Sequence, residues 1–385
     1  MKEKRKIYLD YQASTPTDER VLNEMQEFYL KEFGNPHSTN HIYGWNASKA
    51  IDSSRQTISN YLGIKEDEII FTSGATESNN LAIIGTCLKN KEKKRNKILI
   101  SSLEHPCVIE SAEFAKKHLN YKVDVIPVNK DGYLDLDVLK NLASDEVLLA
   151  SIMLVNNEIG VIQNIKKIQQ LLKPFNILLH SDAAQAPLAM EIMNHTQYVD
   201  MFSLSGHKFY GPKGIGVLAI KNEIKKSISP ILHGGGQQDN LRSGTLPTPL
   251  CIGFAKGIEI LEKEGNKERK RTSALRNNLF HKLKEIIPNI VLNGPDINER
   301  HPINLNLFIP GIVADDLIGS LQPKISISSG SACTTGEIIP SHVLKAIGLS
   351  DEKAEFSFRI ATGRYTSDED IEEFIKILTK KIKEM

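Results

Sequence analysis

At 385 residues, with 40% hydrophobic and 25% charged residues, the chain is long enough for two or three domains and a sizeable core. Its 48 Lys and Arg against 47 Asp and Glu leave no global field that would hold nucleic acid or an anionic membrane, so direct nucleic-acid binding is not expected. The start, "MKEKRKIYLD", has no apolar stretch of signal-peptide length and no later run approaches a membrane span, which predicts a cytoplasmic protein without membrane association.

Residues 46–62, "NASKAIDSSRQTISNYL", predict a helix, followed by a short strand at "EIIFTSG" and a second helix through "TESNNLAIIGTCLK". Apolar, strand-like runs recur at "KILISS", "YKVDVIPV", "VLLASIML", "ILLHSD" and "VDMFSLS", with helical stretches between several of them. Strands alternating with crossover helices predict a mainly parallel sheet covered on both faces, hence an α/β domain. The basic run at 89–97, "KNKEKKRNK", reads as a solvated helix end. Near residue 250 the pattern changes to a long polar helical segment through "ALRNNLFHKLKEII", then strands at "NLNLFIP" and "KISISS" and a terminal helix from about Asp368. This part predicts a second, smaller α+β domain reached through the long helix.

Polar groups collect where the strands end, the rim that holds ligands in a parallel sheet. In "FTSGATES" the strand stops at Phe71, and the glycine turn before Thr76 and Glu77 offers backbone N–H groups and a hydroxyl to an anion, although a plain helix cap has the same look. In "ILLHSDAAQ" a strand delivers Asp182, with Gln185 three residues on, among alanines that leave room for a flat partner. An aspartate there suits a protonated ring nitrogen, and it equally suits a helix cap. In "SLSGHKFYGPKGIGVLAI", Lys208 follows an apolar run and precedes a glycine-rich turn, with Ser205 and His207 close by. A desolvated lysine there is a candidate Schiff-base former. Together an anion anchor, a nitrogen partner, an oxygen partner and an amine are what pyridoxal 5'-phosphate requires, and no GxGxxG or GxxxxGK(S/T) run competes for the cofactor role.

The four cysteines, Cys87, Cys107, Cys251 and Cys333, lack CxxC spacing, which argues against structural zinc or a disulfide framework. Cys87 and Cys251 sit in apolar surroundings and read as packing residues. Cys333 lies in "SISSGSACTTGE", where no apolar shell surrounds it and glycines and hydroxyls predict a solvent-reached loop that can bend. Such a sulfur is either reactive or part of a plain turn.

The chain resembles the cysteine desulfurases of the NifS/IscS-like group, class V members of the PLP-dependent transferase fold type I. "YLDYQASTP", "FGNPHS", "FTSGATESNNLAI", "EHPCV", "VNNEIG", "DAAQ", "SGHKFYGPKGIG", "GGGQ", "RSGTLP", "SSGSACT" and "SFRIATGRYT" follow one another over nearly the whole length. The resemblance implies a large domain with a mainly parallel seven-stranded sheet, placed at 15–258, and a small α+β domain from 1–14 and 259–385 that carries the cysteine loop. It implies that Lys208 carries pyridoxal 5'-phosphate, that Asp182 pairs with the ring nitrogen and Gln185 with its phenolic oxygen, and that His105 stacks on the ring. Ala75, Thr76, Ser205 and His207 are expected around the phosphate, with Thr245 reaching the phosphate of the other subunit of a homodimer. Arg359, assisted by Asn157, is the expected partner of the carboxylate of L-cysteine, and Arg364 is read as structural. Cys333 then takes the substrate's sulfur as a persulfide, leaves L-alanine, and passes the sulfur to an acceptor protein. No metal is expected in the isolated enzyme, Cys333 serving at most as a transient iron–sulfur ligand beside a partner's ligands.

Departures bear on the acceptor. Relatives often read Ala or Ser where this chain has Gln12, and Gln, Glu, Arg, Gly where it has Gln237, Gln238, Asp239 and Asn240. Iron–sulfur assembly, tRNA thiolation and DNA phosphorothioation all remain as outlets, with "YQASTP" and "SACTTGE" tilting toward the last. The competing readings are another aminotransferase or β-lyase in which Cys333 is incidental, and a non-enzymatic protein on the same fold. Cys107 is assigned no role.

Overall fold

A computed structural model describes residues 6–92, 94–329, 331–334 and 337–384, including all of their side chains except those of 331–334 and 337–339. Its strands in chain order are β1 (Ile7–Tyr8), β2 (Ile69–Thr72), β3 (Lys97–Ser101), β4 (Lys122–Ile126), β5 (Val147–Ser151), β6 (Leu178–Asp182), β7 (Met201–Ser205) and β8 (Gly216–Ile220). The second half adds β9 (Val291–Leu292), β10 (Asn304–Phe308), β11 (Ile325–Ser326), β12 (Ser328–Ser329), β13 (Ser331–Thr334), β14 (Glu337–Pro340) and β15 (Ser357–Ala361).

Seven strands form one sheet in the order β2-β8-β7-β6-β5-β3-β4. All run parallel except β8, which is antiparallel to both of its neighbours. The apolar runs were long because both faces are covered: Phe71, Leu99 and Phe202 enter one core cluster, while Ile70, Ile98, Ile100 and Met201 enter another on the opposite face. The reversed direction of β8 brings Gly216 to the edge where β2 and β7 end, opposite Thr72 and Ser205. A Cβ on Gly216 would come within 2.6 Å of the Gly74 backbone, so only glycine lets the turn after β2 close over the sheet edge.

The helix Thr248–Ile286 has 39 residues, about 58 Å at the usual rise. Its first part packs Phe254, Ile258 and Leu261 into the large core, and its last part packs Leu275, Leu279 and Leu283 into a second core. That second core is completed by Leu9, Leu305, Phe358, Ile360 and Phe374, from β10, β15, the N-terminal segment and the terminal helix Asp368–Glu384. Here β12-β15-β10-β9 form an antiparallel sheet and β1 pairs parallel with β11, so the N-terminus joins the C-terminal third of the chain.

Around Cys333 the backbone differs from the expected loop. β13 and β14 pair as an antiparallel hairpin with Cys333 opposite Ile338, its β-branched Thr334, Ile338 and Ile339 suiting extended structure. The Cys333 side chain lies outside the described residues. Among the described residues, no helix is long and apolar enough to cross a membrane.

Candidate active site

A cavity of about 700 Å³ opens at the carboxyl ends of the strands. It is lined by Ala75, Thr76, His105, Asn157, Asp182, Gln185, Ser205, His207, Lys208 and Arg359, ten positions expected from the sequence. Thr245, by contrast, is exposed and does not line it.

One end suits an anion. β2 stops at Thr72 and the chain turns through Ser73 and Gly74 into the helix at Ala75, so the helix start, with its unpaired N–H groups, lines the cavity. The turn is braced internally: Ser73 N donates to Glu77 Oε2 at 2.7 Å, and the Arg242 guanidinium pairs with Glu77 at 2.8 Å. Ser205 and His207 close the other side with Lys213, a cation the sequence reading had not singled out. Burial first, then Lys208 and Lys213, push His207 down to about 4, so at neutral pH it stands as an uncharged imidazole.

The middle suits a flat cationic ring. Asp182, at the end of β6, accepts from Ala184 N at 2.9 Å with Oδ1 and from Asn79 Nδ2 at 2.7 Å with Oδ2. The helix-cap reading of Asp182 does not hold: Oδ1 closes a local turn onto Ala184 N, the helix Ala186–Ala189 starts after Gln185 without a side-chain cap, and Asp182 lines the cavity. His105 caps the helix Pro106–Leu119, its Nδ1 accepting from Cys107 N at 3.2 Å. With Nδ1 used as acceptor, the neutral ring carries its proton on Nε2. Burial holds His105 below its ordinary value, Asp182 opposes that, and Lys208 adds to it.

Cys107 is a bridge in this network. Its Sγ lies 3.0 Å from His105 Nδ1 and 3.1 Å from Asn79 Nδ2, the same amide that holds Asp182. Burial pushes the thiol up to about 12, so it stays protonated and is poorly suited to act as a nucleophile.

Lys208, in the turn after β7, donates from Nζ to the carbonyls of Gln12 and Ala13, both at 2.9 Å. Burial, followed by the charge of Arg359, lowers its pKa to about 8 against the pull of Asp182 and Asp10. Gln185 Nε2 also donates to the Gln12 carbonyl, at 2.9 Å. Thus the segment after β1, 196 residues before the lysine, positions both groups.

Arg359, in the middle of β15, forms the far wall. Its Nη1 donates to Asn157 O at 2.8 Å, and its Nη2 to Asp10 Oδ1 at 2.7 Å and Ser328 Oγ at 3.2 Å. Arg364 faces elsewhere: it pairs with Asp18 and Glu268 at 2.6 and 2.7 Å and lies 4.0 Å from the centre of the Tyr210 ring, a structural clasp. Asp10, Gln12, Asn79, Lys213 and Ser328 were not recognised as site residues from the sequence. Asp10 and Gln12 stand inside the quoted "YLDYQASTP", which was the available signal.

The residues present fit pyridoxal 5'-phosphate on the chemistry of the donor set. An amine of lowered pKa, a buried carboxylate braced by an amide, and a braced helix start share one cavity. A family model described as class-V aminotransferase matches residues 7–374. The chain is 40% identical over 376 residues to the cysteine desulfurase IscS of Rickettsia typhi, covering 98% of this chain and 91% of that protein. A solved NifS-like protein superposes with a TM-score of 0.92 at 32% identity, covering 99% of this chain and 100% of that one. A structure of SspA in complex with cysteine superposes with a TM-score of 0.82 at 33% identity, covering 94% and 100%.

Proposed function

The chain belongs to the class-V aminotransferase family and, within it, to the cysteine desulfurases, and from that premise we propose that it converts L-cysteine to L-alanine and a persulfide on Cys333. The observation that carries this reading is the convergence of Lys208, Asp182, Gln185, His105 and Arg359 on one cavity. Bound pyridoxal 5'-phosphate supplies an aldehyde for amine exchange and an electron sink for cleavage at the substrate's α and β carbons.

Each side chain has a distinct task. Lys208 supplies the amine that holds the cofactor and is a free base in useful amount near neutral pH. Asp182, kept in place by Asn79, would set a negative charge beside the ring nitrogen, and Gln185, whose Nε2 gives one proton to Gln12 O, would offer the other to the ring oxygen. Ala75, Thr76, Ser205 and His207, which line the cavity, would enclose the phosphate. His105 presents Nε2–H to the cavity and moves protons there, while Arg359 binds the substrate carboxylate with Asn157 beside it. The Cys333 thiolate forms a bond to the substrate sulfur as the carbon–sulfur bond breaks; the electron pair stays with carbon, which is protonated to give alanine.

Thr245 acts across a two-fold interface in this reading, which makes the protein a homodimer. Support comes from its exposed position and from Tyr29, Leu30, Phe33, Ile42, Tyr43 and Trp45, which expose an apolar surface in which the Phe33 and Tyr43 rings stack at 5.5 Å. The sulfur passes to an acceptor protein of iron–sulfur assembly, tRNA thiolation or DNA phosphorothioation, and persulfide transfer assays with one acceptor of each kind separate these outlets.

The testing experiment is mass spectrometry after brief exposure to L-cysteine, with alanine quantified in wild type and Cys333→Ala. A sulfur-sized mass gain on the Cys333 peptide, with alanine formed and both signals lost in the variant, is expected. Alanine production that persists in the variant refutes the role of Cys333 and favours an aminotransferase or β-lyase.

A further inference from the structure

A carboxylate can engage a guanidinium through two parallel N–H groups on only two edges, the Nε/Nη2 side and the Nη1/Nη2 end. Both edges require Nη2. In Arg359 that nitrogen is already committed, to Asp10 Oδ1 at 2.7 Å and Ser328 Oγ at 3.2 Å. The donors left over do not form a fork: Nε is buried without a partner, and Nη1, which gives one proton to Asn157 O, lies on the opposite edge.

Asp10 is firmly held beside this guanidinium. Its backbone bridges to Ala361, two residues beyond Arg359 on β15, and its carbonyl accepts from Tyr8 Oη and Ala13 N, both at 3.0 Å. The two side chains keep only 16% and 10% of their exposure, so their attraction is weakly screened. Rotation of the Asp10 side chain, whose backbone anchors do not involve the carboxylate, frees one Nη2 proton for an incoming carboxylate while the other stays with Ser328 Oγ.

We propose that Asp10 is a resident carboxylate that occupies the Arg359 fork in the substrate-free enzyme, and that a free α-amino acid binds by taking the fork from it. Asp10 thereby sets the affinity for the amino-acid carboxylate. The effect falls on product as much as on substrate: alanine carries the same carboxylate, and Asp10 returning to Nη2 helps to expel it after each turnover. This inference rests on the reading of Arg359 as the carboxylate partner.

The test uses the holoenzyme and two ligands followed by cofactor absorbance: L-alanine, which has the carboxylate and no sulfur to transfer, and ethylamine, which has only the amine. Their dissociation constants are compared as a ratio, because a change at Asp10 also alters Lys208, which both amines must displace. Asp10→Asn is expected to shift the ratio toward alanine by roughly tenfold and to lower KM for L-cysteine more than kcat. Asp10→Glu, which keeps the charge, is expected to leave the ratio near wild type, and Arg359→Ala to shift the ratio against alanine. An unchanged or reversed ratio in Asp10→Asn, with alanine still weakened in Arg359→Ala, overturns the proposal and leaves the Arg359 reading standing. Should Arg359→Ala bind alanine as wild type does, that reading fails and takes the proposal with it. If Asp10→Asn does not retain the cofactor, Asp10→Ser carries the same expectation.

Discussion

The amine of Lys208 is expected to titrate far below an exposed lysine, and the size of the effect follows from its surroundings. Burial and Arg359 lower it from 10.5 to about 8. At pH 7.5 that leaves about a quarter of the amine unprotonated, against about one part in a thousand at the ordinary value, a gain of about two hundredfold in reactive form. The assay is a brief pulse of an amine-acetylating ester on the cofactor-free protein across about pH 6 to 10. Mass spectrometry then compares the Lys208 peptide with one carrying a solvent-exposed lysine. Reactivity of Lys208 should rise with pH and level off above about 8, and the rate of cofactor reloading should follow the same curve. Arg359→Gln should move the midpoint up, since that guanidinium opposes a second cation, and Asp182→Asn should move it down, since that carboxylate favours the ammonium. A midpoint near 10.5, the ordinary lysine value, would refute the claim that desolvation prepares this amine.

Asn79→Ala removes the 2.7 Å donor to Asp182 and should weaken cofactor affinity by roughly tenfold, measured by absorbance titration. Gln238→Ala removes both hydrogen bonds to the Phe71 backbone on edge strand β2, at 2.8 and 2.9 Å; urea unfolding should show a loss of about 1–2 kcal/mol. Arg364→Ala leaves Asp18 and Glu268 without their shared guanidinium and should cost about 3 kcal/mol in the same assay, with steady-state KM little changed in the folded fraction. Asp18 is held below its ordinary value, chiefly by Arg20. Its stabilisation is therefore present above about pH 4 and lost as pH falls below it, a decline that Arg20→Ala should blunt in acid unfolding.

The parts of the site that were legible in the sequence are those delivered by strand ends. Asp182, Ser205 and the turn at Gly74 each follow an apolar run, and a buried parallel strand leaves its last residue at the ligand edge whatever the rest of the chain does. What was not legible depends on contacts between segments far apart in sequence. Asp10 reaches Arg359 across 349 residues and Asn79 reaches Asp182 across 103, and neither carries a local period or spacing that announces its partner. The hairpin of β13 and β14 escaped for another reason: the small, hydroxylated residues of "SGSACTTGE" have no alternation to mark a strand, and the pairing is visible only in the backbone. The long helix was recognised as a class of structure but begins at Thr248, ahead of the polar stretch, because Pro249 suits a first turn rather than ending one.

The segment at Gln238, Asp239 and Asn240 has consecutive φ values of 52, 60 and 61°, a left-handed stretch without a single glycine, which Gln238 pins to Phe71. At Asp239 and Asn240, whose side chains do not hold strand β2, the usual ranking of substitutions inverts. Glycine, disruptive in most ordered backbone, is the mild replacement, while valine or isoleucine, harmless on many surfaces, is the severe one. Asn240 suits that shape, since asparagine is among the few residues other than glycine that tolerate it. At these two positions the torsion angle constrains the residue more than its side-chain chemistry does, and a replacement that keeps the turn keeps the neighbouring Arg242 against Glu77.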